Sequence, residues 1–116
     1  MEAILITDKQ KALELTHRTH LAGRLTGVMY RDLVNAFGEP TFLPEDSGDG
    51  KVNFEWVFKF GGSVFTVYDW KVSEDYAKHI MGRVDEVQFH VGGHDSADEF
   101  ISYVQKKVVL SVGSLS

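Results

Sequence analysis

Two runs dense in aromatic and β-branched residues, 52–60 and 63–71, flank Gly61-Gly62, and no other feature of the chain limits its fold so strongly. A diglycine suits a two-residue hairpin turn, because glycine takes positive φ without a Cβ penalty. Opposed positions across such a turn keep a constant index sum, so Phe58 faces Phe65, Trp56 faces Val67 and Phe54 faces Asp69. Phe54, Trp56, Phe58, Phe60, Phe65 and Val67 then share one face. Burying each large apolar side chain contributes about 1.5–3 kcal/mol, so this face is expected to be core. The opposite face carries Asn53, Glu55, Val57, Val64, Thr66, Tyr68 and Trp70 and is mixed in character.

The flanking segments supply partners for that hairpin. Residues 3–7 form a short apolar run of strand type, and Thr7-Asp8-Lys9-Gln10 has capping-box spacing before a helix over 8–15. Leu13 and Leu15 also fit alternate positions of a strand, so both readings stand. Residues 18–25 read as an extended edge strand. Tyr30, Leu33, Val34 and Phe37 recur at helical steps; Gly38 then caps the helix and Pro40 forbids its continuation. The polar stretch 39–50 reads as a loop, and 74–82 as a loop or helical turn. A third strand is expected over 84–91, ended by Gly92 and Gly93. Asp95 or Ser96 caps a final helix with an inward stripe of Phe100, Ile101, Val104 and Val108, and the tail 111–116 is expected to fray. The fold class is therefore α+β: an antiparallel sheet of three to four strands around a central hairpin, packed with two to three helices.

Length and composition narrow the setting. At 116 residues the chain is expected to be one domain, with residues 1–20 as an N-terminal extension whose assignment to helix or strand is left open. The absence of cysteine excludes disulfides, thiolate catalysis and cysteine-based metal sites, and points to a reducing cytoplasm. No segment approaches the roughly 18 apolar residues that a membrane span requires. Seventeen acidic against twelve basic residues give a net charge of -5, which repels phosphate backbones and argues against direct nucleic-acid binding.

Two clusters carry candidate chemistry. His90-Val91-Gly92-Gly93-His94-Asp95 joins a strand end to a helix start, where free amides can receive an anion and the histidines can donate or accept a proton; the alternative is a plain structural turn. Metal binding by His90, His94 and Asp95 is disfavoured, since three ligands would have to converge from one turn. Glu55, Tyr68, Asp69, Trp70 and Lys71 combine flat rings with hydrogen-bonding groups and form a surface for a ligand or partner, unless a helix covers it as a second core. Gly48-Asp49-Gly50-Lys51 lacks the spacing of a phosphate loop, and no nucleophile elbow or triad pattern occurs. No catalytic residue, cofactor or metal is assigned, and the chain is read as a non-enzyme.

Gly38-Glu39-Pro40, Gly50-Lys51-Val52, Glu55-Trp56-Val57, Val67-Tyr68-Asp69-Trp70-Lys71 and His90-Val91-Gly92-Gly93, in that order, resemble a group of small, largely uncharacterised proteins encoded by tailed bacteriophages. The resemblance spans roughly residues 21–100, with Phe89 standing where members commonly have tryptophan, and this chain differs in a longer N-terminal extension. It implies a phage accessory protein acting in the host bacterial cytoplasm. Such a protein is expected to bind and inhibit a host factor, above all a CRISPR or other antiviral defence effector. The alternative is a small-ligand binder that sequesters a nucleotide immune signal. Exposed edge strands leave a homodimer open.

Overall fold

The computed structural model describes residues 2–17, 19–25, 28, 30–43, 54–69 and 89–115, with side chains to residue 110. Five strands among them form one antiparallel sheet: β1 (Ala3–Leu5), β2 (His20–Leu25), β3 (Glu55–Phe60), β4 (Ser63–Asp69) and β5 (Phe89–Gly93), in the order β1-β3-β4-β5-β2. The described helices are α1 (Lys9–Leu15), α2 (Tyr30–Phe37) and α3 (Asp98–Leu115). The fold is α+β. Its sheet has five strands where three to four were expected, because the strand-type run at the N-terminus joins the same sheet, with Ala3–Leu5 paired to β3.

The hairpin forms in the register that the diglycine turn dictates. Phe58 pairs with Phe65 and Trp56 with Val67, while Gly61 and Gly62 take φ of 58° and 85°. All six residues of the aromatic face are buried, and α2 and α3 close over them through Leu33, Phe100, Val104 and Val108. Phe100 stacks on Phe65 with ring planes 10° apart and meets Phe58 and Phe60 at tilted or edge-on angles. Trp56 also donates its indole N–H to the Gly38 carbonyl at 3.0 Å, so the C-terminus of α2 is satisfied by the core it covers.

The opposite face is covered over part of its area. α1 seats Ala12 against Ile6 and Val57, with Leu15, Phe42 and Val64 packed around them. Thr41 donates its hydroxyl to the Ile6 carbonyl at 2.6 Å and accepts from the Val57 amide at 3.1 Å, tying the chain after α2 to both β1 and β3. The helical reading of 8–15 is the one realised. Its N-cap is Asp8, whose side chain accepts from the Lys11 amide, rather than Thr7.

The third strand ends at the diglycine as expected, but Gly92 and Gly93 are themselves the last two paired residues of β5 rather than a turn after it. α3 runs to Leu115 and so includes most of the segment read as a tail. Of the two expected caps of α3, Ser96 is the one that accepts from a first-turn amide, that of Asp98 at 3.5 Å, while Asp95 accepts from the Ser63 hydroxyl at 2.6 Å and pins the hairpin turn to the segment before the helix. The expected loop at 74–82 and the first part of the third strand, 84–88, lie outside the described residues. No described helix is long and apolar enough to cross a membrane.

Candidate binding site

Pairing register decides which polar side chains meet. Glu55 of β3 lies opposite Tyr68 of β4, Tyr68 opposite His90 of β5, and His90 opposite Arg24 of β2. Directly opposed residues share a sheet face, so these four form one row across four strands. At about 4.8 Å per strand interval the row runs about 14 Å. Arg24 is exposed, whereas His90, Tyr68 and Glu55 are half-buried. The Tyr68 and His90 rings meet edge to face, with centroids 5.6 Å apart and planes at 80°.

A bulge brings Arg24 into the row. β2 and β5 pair as Leu21 with Gly92 and then as Gly23 with Val91, so one extra residue enters β2 between them. Without that extra residue Arg24 would oppose Phe89 and point at the core. With it, Leu25 opposes Phe89 and is fully buried, and Arg24 opposes His90 on the other face.

The electrostatics of the row follow from partial burial. Burial and, after it, the Asp69 charge push the Glu55 carboxyl up to about 7 from an ordinary 4.5. Burial and the Glu55 charge raise the Tyr68 phenol. Burial and the Arg24 guanidinium lower the His90 imidazole. Near neutral pH the row therefore holds one permanent cation at its β2 end, a neutral ring pair in the middle and a carboxyl poised between its two states. Such an arrangement can orient a polar ligand and exchange a proton with it.

The remaining expected site residues are placed elsewhere. Asp69 is fully buried on the aromatic face, with its Oδ1 accepting the Phe54 amide at 2.7 Å. His94 is exposed beyond the end of β5, four strand-spaced residues and so about 13 Å along the chain from His90. The two histidines do not converge. Gly92 and Gly93 are paired with β4 on one side and β2 on the other, so they do not form the amide-lined anion turn that a strand end would offer. Their lack of side chains serves packing: a Cβ on Gly92 would sit 2.8 Å from the Thr66 hydroxyl, and one on Gly93 would sit 2.8 Å from the Phe65 ring. Trp70 and Lys71 lie outside the described residues. Among the described residues no three His, Asp or Glu side chains gather as a metal site.

Arg24 is the member of the row that sequence reasoning missed. It lies 66 positions from His90, and no local pattern around it signals the bulge that turns it toward the histidine. A separate depression of about 360 Å³ lies at the hairpin turn, between Ser63 and the start of α3, with Asp98 and Glu99 on its rim. Those carboxylates face the positive end of the helix and are accounted for by it.

The chain matches no protein-family model, no curated protein and no solved structure.

Proposed function

We propose that the chain is a binding protein that inhibits a bacterial host factor, with the row Arg24–His90–Tyr68–Glu55 at the centre of its contact surface. The observation that carries this reading is the row itself: four polar side chains of different chemistry aligned on one rigid sheet face. Sheet positions hold side chains more firmly than loops do, and a half-buried tyrosine flanked by polar groups has the makeup of an interface anchor. The resemblance to tailed-phage proteins supports a host defence effector as the partner, met in the bacterial cytoplasm. Immobilised protein should retain a defence or nucleic-acid-processing protein from host lysate, and a Tyr68→Ala variant should retain much less. Equal retention by both would overturn the assignment of the surface.

Sequestration of a nucleotide signal is supported by a different observation. Arg24, placed beside the Tyr68–His90 ring pair, supplies the cation for a phosphate that the diglycine amides do not. A nucleotide present at 100 times its dissociation constant should raise stability by about 2.7 kcal/mol in a thermal-shift series. Unchanged melting with every linear and cyclic nucleotide would remove this reading.

A further inference from the structure

Arg24 and His90 sit directly opposite on adjacent strands and on the same face, and no carboxylate among the described residues lies within salt-bridge reach of Arg24. Cationic side chains placed opposite each other weaken a sheet, so this pairing lowers stability whenever the imidazole is charged. In a chain of net charge -5, Arg24 nevertheless sets one permanent positive charge at this end of the row. An anion seated between the two would accept from the guanidinium and the imidazole together, through charge-assisted hydrogen bonds.

We infer that Arg24 and His90 form an oxyanion subsite that takes a carboxylate side chain of the bound partner. The inference rests on the binding reading above and names the partner's chemistry. Charge balance selects a carboxylate over a phosphate. The subsite supplies one permanent positive charge, from Arg24, which a single negative charge satisfies. A phosphate carries up to two, and the excess would be repelled by the acidic chain as a whole. The other end of the row adds selectivity, because Glu55 favours a hydrogen-bond donor about 14 Å from the partner's acid.

The test is an NMR titration of the full chain, following the His90 imidazole and Arg24 guanidinium signals. N-acetyl-glutamate amide serves as the carboxylate probe, with inorganic phosphate and sodium chloride at matched ionic strength. Saturable movement of both signals with the carboxylate, beyond that caused by chloride, is the expected result. Arg24→Gln should weaken that response about tenfold or more. Because Arg24 is exposed, the variant should keep the wild-type fold, which its amide spectrum checks; His90→Gln provides a second, independent loss. Movement no greater than with chloride overturns the subsite, and tighter saturation by phosphate overturns the choice of carboxylate. Lysate retention separates the two levels of the argument. A partner held equally by wild type and Arg24→Gln sinks the subsite and leaves the binding reading standing, whereas no retained partner together with a saturable titration does the reverse.

Discussion

The carboxylate of Asp69 is fully buried and accepts a hydrogen bond from the Phe54 amide at 2.7 Å, clasping the hairpin at the end away from its turn. Asp69→Ala removes the acceptor and leaves that amide unpaired in the protein interior, so it should cost about 1–3 kcal/mol in urea unfolding. Asp69→Asn keeps an oxygen for the amide and should lose less. It should also bring the Glu55 pKa down, since the Asp69 charge helps to raise it. An unchanged Glu55 titration in Asp69→Asn would refute that coupling.

Stability should depend on pH through Glu55. Folded Glu55 keeps its proton up to about pH 7, while the unfolded chain releases it near 4.5, so the folded state binds more protons between those values. This contribution is fully present below pH 4.5 and is lost as pH rises to about 7. Its size is on the order of 3 kcal/mol. Glu55→Gln should flatten this part of the profile and make the protein more stable than wild type at pH 8, as read by denaturant midpoints.

Gly92→Ala and Gly93→Ala should each destabilise by about 1–3 kcal/mol through overpacking. Gly93→Ala is expected to be the worse, because its new methyl meets both the Phe65 ring at 2.8 Å and the Val64 carbonyl at 3.2 Å. Gly62→Ala meets no neighbouring atom, and its cost comes from the φ of 85° alone. Unfolding curves for the three variants would separate crowding from backbone strain.

Thr41→Val keeps the shape of the side chain and removes both of its hydrogen bonds, to the Ile6 carbonyl and the Val57 amide. Loss of about 1–3 kcal/mol is expected, together with faster hydrogen exchange at the Val57 amide. Thr41→Ser should restore most of the protection.

Arg24→Gln should raise the His90 pKa, because the guanidinium is one of the two causes that lower it. Burial remains, so recovery to the ordinary value should be incomplete. An imidazole titration by NMR gives the answer directly, and a drop in the His90 pKa would contradict the register-based placement of the pair.

Local chemistry by itself determined much of this protein. Period-two alternation and a diglycine turn were enough to specify the β3–β4 register and its buried aromatic face, because each depends only on neighbours in the chain. The end of α2 at Phe37 followed in the same way from Gly38, which takes φ of 110°. The tertiary structure alone decided the order of the five strands, the joining of Ala3–Leu5 to β3 and the row from Arg24 to Glu55. Those outcomes depend on pairing between segments far apart in the chain, and no turn or periodicity encodes it. Gly92 and Gly93 read as a turn, since diglycine usually breaks a strand, but close packing of Thr66 and Phe65 against β5 requires the same two residues within it. Arg24 shows the limit most plainly. A single extra residue in β2 moves its side chain from the core face to His90, because alternation inverts with every one-residue slip.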